Sequence, residues 1–154
     1  MLNKYEYKNI SDDYLRGLVE GEGCFTFCNV PNYARSGKKF RLPAFALQMH
    51  ERDRELLECL KKRLGLKNKI YVYRKPALIV KNKTYLRAPQ AMLIVRDVGS
   101  LKNKVVPFFY GKLYGNKGIQ MLEWLEEIGS EEDIPENYKI LYRLHSCGYF
   151  KKSV

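Results

Sequence analysis

The sequence predicts an α+β domain in which an antiparallel four-stranded sheet carries helices on one face and a basic surface on the other. Three observations predict it. Helical and strand-like patterns follow one another as helix, two strands, helix, two strands, helices. The excess positive charge falls on the strand-like part: residues 24–112 hold 20 basic and five acidic side chains, whereas 1–23 and 113–154 are each net −2. A length of 154 residues with 45% apolar side chains is enough to bury one core without disulfide or metal staples. A secreted mini-protein, a coiled coil and a disordered tail are excluded by this composition. No run approaches the ~18 apolar residues of a membrane span and no signal peptide opens the chain. The expected setting is therefore intracellular, in an organelle or a prokaryotic cytoplasm, with no membrane partner.

Each element has a local reason. Ser11 is placed to cap a helix whose first turn holds Asp12 and Asp13, where carboxylates favour the positive end of the dipole. Tyr14-Leu15 and Leu18-Val19 give it helical apolar spacing, and Gly21-Glu22-Gly23 brings it to an end. Cys24–Cys28 and Phe40–Met49 read as a long hairpin around a loop rich in turn and basic residues. Asp53 to Leu64 reads as a helix with Leu56, Leu57, Leu60 and Leu64 on one stripe and Gly65 as its stop. Ile70–Arg74 and Met92–Val95 form a second strand pair, with a turn and extra strand expected between Lys75 and Pro89. Ser100 is read as the cap of a short helix running to Pro107. Asn116 opens a stronger one, with Ile119, Leu122, Leu125 and Ile128 inward, Gly129 at its end and Trp124 in the core. A helix over 135–144 follows. One domain over 1–154 is expected, with a first helix over 12–22, a sheet region over 24–96 and a helical remainder over 100–145.

The charge distribution narrows the partner. Between Glu58 and Glu123 the only acid is Asp97, and the basic residues are interleaved with Tyr33, Phe40, Tyr71, Tyr73 and Tyr85. Cations and aromatics along extended segments suit a phosphate backbone. The competing reading is an ordinary solvated basic face. Cys24, Cys28, Cys59 and Cys147 have neither a disulfide framework nor a zinc spacing with His50 or His145, and read as free thiols.

The most specific stretch is Leu15-Arg16-Gly17-Leu18-Val19-Glu20-Gly21-Glu22-Gly23. It puts two side-chain-free patches, Gly17 and Gly21, on one helix face and delivers a carboxylate, Glu22, at the helix end. Helical glycine costs about 1 kcal/mol, and an acid at a C-terminus opposes the dipole, so two unfavourable choices fall together. This stretch resembles the motif of LAGLIDADG homing endonucleases, with Arg16 for alanine, Gly21 for alanine and Glu for Asp at both acidic positions. Phe45-Ala46-Leu47-Gln48 before a charged helix resembles that family's second strand and helix. Pro107-Phe108-Phe109-Tyr110-Gly111-Lys112 resembles its later lysine segment. The likeness covers about residues 10–128 and implies the αββαββα homing-endonuclease fold.

The resemblance implies a site-specific double-strand DNA endonuclease that hydrolyses phosphodiesters with Mg²⁺ or Mn²⁺, serving the homing of an intron or intein-like element. Glu22 would be the carboxylate ligand and the Gly21 carbonyl a second. Lys112 would lie near the scissile phosphate, Glu51 would position water, and Glu20 would be structural. Members with one motif per chain pair their motif helices, so Gly17, Leu18 and Gly21 are expected at a homodimer interface. A two-fold dimer reads a near-palindromic site in double-stranded DNA.

Each sheet would lie in a major groove. With Phe25, Phe27, Phe45, Leu47, Ile70 and Val72 inward, strand alternation turns Thr26, Cys28, Ala46, Gln48, Tyr71 and Tyr73 toward DNA. Lys75, Arg87, Gln90 and Met92 are further candidates from the irregular stretch and the strand after it. Asn32, Arg35, Lys38, Lys39 and Arg41 sit in or near one hairpin turn, and Lys81 and Lys83 near the other, suited to phosphates or to guanine contacts. The rival reading is an RNA maturase or a nucleic-acid binder of the same fold without nuclease activity; a pure binder has no chemical need of Glu22 and Lys112.

Overall fold

A computed structural model describes residues 10–34 and 37–153. Its first helix, α1 (Asp12–Glu22), starts where Ser11 Oγ accepts the Tyr14 N–H at 3.0 Å. It passes directly into β1 (Gly23–Pro31). Only glycine fits that junction: a Cβ on Gly23 would lie 2.6 Å from Val19 Cγ1 and 2.8 Å from the Val19 carbonyl oxygen. β2 (Lys39–His50) completes the hairpin, and α2 (Arg54–Leu64) follows, stopped by Gly65 in the left-handed region at φ 66°. β3 (Ile70–Tyr73), β4 (Leu78–Val80), β5 (Lys83–Tyr85) and β6 (Gln90–Val95) come next.

The four-stranded sheet has the order β1-β2-β6-β3 and is antiparallel throughout. Its register aligns the apolar rows. Phe25 faces Phe45, which faces Val95; Gly23 faces Leu47, which faces Leu93, which faces Ile70. Onto this side pack Leu15 and Val19 of α1, Leu57, Leu60 and Leu64 of α2, and a helix near the C-terminus, α5 (Asn116–Ser130). Phe25 lies 5.4 Å from both Phe45 and Trp124, ring centre to ring centre. Trp124 also donates its indole N–H to the Thr26 carbonyl at 2.8 Å, so its one polar atom is satisfied inside the core.

Several details differ from the sequence expectation. Asp97, not Ser100, caps the helical stretch after the sheet, accepting the Ser100 N–H at 3.0 Å. That stretch runs through α3 (Val98–Ser100), a π turn (Leu101–Val105) and α4 (Val106–Phe109), beyond Pro107, which sits in the first turn of α4. Ile119 and Leu122 are 57% and 43% exposed; Met121, Trp124, Leu125 and Ile128 are the buried side of α5. A residue advances about 100° around a helix, so a stripe of three-residue steps drifts, and Ile119 and Ile128 point to opposite sides. Val72 has inward alternation yet is 40% exposed, because β3 is a short strand at the sheet edge.

The stretch between β3 and β6 is a separate two-stranded ribbon, β4 with β5. Its turn residues Lys81 and Asn82 have φ of 49° and 62°, the double left-handed geometry of a tight hairpin. The final helix α6 (Lys139–Ser146) begins after a 3₁₀ turn, Glu136–Tyr138. A further turn, Tyr149–Ser153, buries Phe150, so the helical part extends past residue 145.

Candidate functional site

The end of α1 collects the residues with chemistry. Glu22 is its last residue, exposed, and its carboxylate makes no hydrogen bond or ion pair with any described residue. The chain turns into β1 at Gly23, so the Gly21 carbonyl, one of the last in the helix, has no N–H four residues on to receive. A free carboxylate beside an unused carbonyl is the hard oxygen set that Mg²⁺ or Mn²⁺ takes, with water filling the remaining positions. The fit is chemical: one carboxylate and one carbonyl per chain.

Glu51 follows the last residue of β2. In the antiparallel register Gly23 faces Leu47, so the start of β1 and the end of β2 lie at the same end of the sheet, where Glu22 also emerges. The Glu51 N–H donates to the Pro89 carbonyl at 3.0 Å, while its exposed side chain has no partner among the described residues. Lys112 lies in the turn after α4, half-buried, its N–H on the Phe109 carbonyl at 3.0 Å and its ammonium unpaired among the described residues. Glu20 is spoken for, as its carboxylate accepts the backbone N–H groups of Tyr114 and Gly115, the latter at 2.8 Å. Tyr110, two residues before Lys112, bonds His145 at 2.8 Å, and His145 in turn meets Glu126 at 2.9 Å. Burial, with the Glu126 charge, raises the Tyr110 phenol above its ordinary value.

Along α1, Gly17 and Gly21 are exposed, and a Cβ built on either meets nothing within 4 Å. Leu18 beside them is half-buried against the core. Nothing within the described chain explains two glycines here.

The sheet face opposite the helices brings most of the expected groove residues into rows. Gln48, Met92 and Tyr71 face one another across three strands, and Gln90 stands between His50 and Tyr73 in the next row. Gln48, Lys75, Arg87 and Gln90 line one cavity. Ala46 stands between Cys24 and Ile94. Toward the other end the face closes, since Thr26 is opposite a fully buried Ala44. Near Cys28, burial and the Asp97 charge raise the Tyr138 phenol against the opposing charge of Arg96. Lys38 and Lys39 are exposed at the first hairpin, where Asn32 Oδ1 accepts the Ala34 N–H and shapes the turn. Lys81 and Lys83 are exposed on the ribbon, and Arg35 lies outside the described residues.

Arg41 does not join this face. Its guanidinium bonds Glu127 at 3.1 Å, pairs with Glu131 at 3.5 Å and lies over the Phe27 ring at 4.4 Å. Odd-numbered β2 residues point to the helices, and α5 with its C-cap residue, Glu131, supplies the acids. Continuing the alternation used for Ala46 and Gln48 adds Cys24, His50 and Ile94 to the open face, which the sequence reading did not include. It also left out Arg16 and the ribbon's exposed Leu78, Ile79 and Leu86. Among the described residues no helix is long and apolar enough to cross a membrane.

Comparison with known proteins bears on this geometry. The profile of the LAGLIDADG endonuclease family matches residues 15–128. The meganuclease I-SmaMI bound to uncleavable DNA is similar in structure, with a TM-score of 0.61 at 21% identity over 88% of this chain. The homing endonuclease I-TnaI gives 0.53 at 23% identity over 89%, and I-LtrWI bound to its target DNA gives 0.59 at 26% over 89%. The chain spans 45% of the I-SmaMI chain, 42% of I-LtrWI and 97% of I-TnaI. No curated protein sequence matches it. The helix, strand and helix order, the motif at the end of α1 and a profile match over most of the length together place this chain in the LAGLIDADG endonuclease family.

Proposed function

We propose that the chain is a site-specific double-strand DNA endonuclease that works as a homodimer with Mg²⁺ or Mn²⁺ on a long, near-palindromic target, and that it promotes homing of its own coding element. The observation that carries this reading is the end of α1: among the described residues an exposed Glu22 carboxylate and the Gly21 carbonyl next to it in the chain have no partner, and the Gly17/Gly21 face is open. A bound divalent cation would supply a Lewis acid for the phosphoryl oxygens and for water. Glu22 and the Gly21 carbonyl hold it. Glu51 orients a water molecule from the neighbouring strand end. Lys112 offsets charge that develops on the phosphoryl group as the P–O bond breaks.

Two cuts need two such sites, and the described chain has one motif. Its length ratios support pairing, because one fold unit covers nearly all of I-TnaI but less than half of I-SmaMI. Helices with open glycine faces allow close backbone approach, and a two-fold pair places two Glu22 carboxylates near the shared axis. The open sheet face, with Gln48, Tyr71, Tyr73, Lys75, Arg87, Gln90 and Met92, enters the major groove, while Lys38, Lys39, Lys81 and Lys83 meet phosphates. A basic face serves RNA equally well; the unpaired Glu22 and Lys112 favour hydrolysis. Selection from a randomised duplex library, with sequencing of the cut ends, tests this. The expected product is a two-fold-related consensus cut on both strands only with divalent metal. Recovery of bound but uncut sequences would leave a binding protein instead.

A further inference from the structure

We propose that Arg16 and Glu20 are positioning residues that clamp the Lys112 segment to the motif helix, so that α1 itself sets where Lys112 stands relative to Glu22. This rests on the nuclease reading above. Arg16 and Glu20 are four residues apart and share one face of α1. Arg16 donates its Nε–H to the Phe108 carbonyl at 2.9 Å and lies over the Phe108 ring at 4.4 Å. Its side chain is only 16% exposed. One turn on, Glu20 accepts from Tyr114 and Gly115. Lys112 lies between these two anchor points.

Both tethers grip backbone atoms, so they fix the path of the segment whatever its side chains do. A third contact closes the loop from the far side. A Cβ on Gly118 would lie 2.6 Å from the Leu113 carbonyl oxygen, so the first turn of α5 packs directly against the residue after Lys112. Within the segment, Gly111 takes φ 70° and the Lys112 N–H meets the Phe109 carbonyl. The backbone is held before and after Lys112 while the ammonium is left unpaired among the described residues. Glu20 has a second effect. α5 has no side-chain cap of its own at Gly115, and the Glu20 carboxylate satisfies that N–H with a charge that the helix dipole favours. Arg16 stands where the family motif has alanine, which could not make this contact.

Catalysis by a positioned ammonium is steep in distance, and a shift of about 1 Å can cost on the order of 100-fold in rate. The test is single-turnover cleavage of the selected duplex, with affinity measured separately in Ca²⁺, for wild type, Glu20→Ala, Glu20→Gln and Arg16→Ala. Glu20→Ala and Arg16→Ala should cut about 10- to 100-fold more slowly at an affinity within about threefold of wild type. Glu20→Gln keeps an acceptor oxygen and should recover most of the rate. Alanine variants that cut at the wild-type rate, or that lose affinity in step with rate, would overturn the proposal.

Amide exchange judges the clamp apart from activity. In Glu20→Ala the Tyr114 and Gly115 amides should exchange at least about tenfold faster, with Trp124 and Leu125 unchanged. Unchanged exchange at Tyr114 and Gly115 would overturn the clamp even in an active nuclease. Faster exchange in Glu20→Ala, beside a wild type that never cuts, would uphold the clamp and remove the nuclease reading.

Discussion

Gly17 offers a perturbation whose sign differs between one chain and two. It sits in the middle of an 11-residue helix, and a Cβ there meets nothing within 4 Å in the chain itself. Replacing it with alanine therefore removes the backbone-entropy cost of glycine and adds no clash, a gain of about 0.8–1 kcal/mol. For a domain of this size that is about 2–4 °C in Tm. In a two-fold dimer the same methyl appears twice at the closest approach of two backbones. Overpacking costs about 1–3 kcal/mol per site, so two sites at the low end cost about 2 kcal/mol, roughly 30-fold in dimer Kd. Gly17→Gln, also a good helix former, should break the dimer altogether. Thermal melts run below the dimer Kd and sedimentation over a concentration series read the two effects separately. An alanine variant that melts higher and dimerises as well as wild type would refute the placement of Gly17 at the contact. One that melts lower as a monomer would refute the open space around it.

Arg41→Ala should lose about 1 kcal/mol of stability with the salt slope of DNA binding unchanged, while Lys83→Ala should leave stability alone and lower that slope by about 1. Equilibrium unfolding and binding titrations at several salt concentrations separate the two. Asp97 is opposed by burial, yet hydrogen bonds from Ser100 and Asn68 hold its carboxyl below the ordinary 3.8. A depressed carboxyl stabilises the fold above its unfolded pKa and loses that contribution as pH falls through its folded value. Asp97→Asn should therefore cost about 0.5–1 kcal/mol at pH 7, the low end for a partly exposed cap, and the gap from wild type should close below pH 4. Trp124→Phe leaves the Thr26 carbonyl without its donor and should cost about 1–3 kcal/mol by denaturant unfolding, with dimerisation unaffected.

The elements that sequence exposed best were those with a one-dimensional signature. Ser11 caps α1 and Gly65 ends α2 because a hydroxyl and a left-handed glycine act on neighbours three or four residues away. The rows on the open sheet face were legible because strand alternation has a period of two, and the same period extends them to Cys24, His50 and Ile94. What escaped depended on partners distant in the chain. Arg41 lies in a basic stretch of the sequence, and only the packing of α5 and its C-cap supplies Glu127 and Glu131. Arg16 read as a motif departure until Phe108, 92 residues on, gave it a role. Asp97 displaced Ser100 as a cap because both are good caps three residues apart, and the start of the turn decided between them.

Glu22 is the residue on which a metal-dependent cut at the end of α1 depends. Cleavage of the selected duplex by Glu22→Gln, with Mg²⁺, set beside its affinity for the same duplex, tests it most directly. The amide keeps the shape and removes the charge that holds a hard cation, so cutting should fall by at least about 1,000-fold while affinity stays within about threefold. Sustained cutting by Glu22→Gln would contradict the assignment of the end of α1 as the metal site.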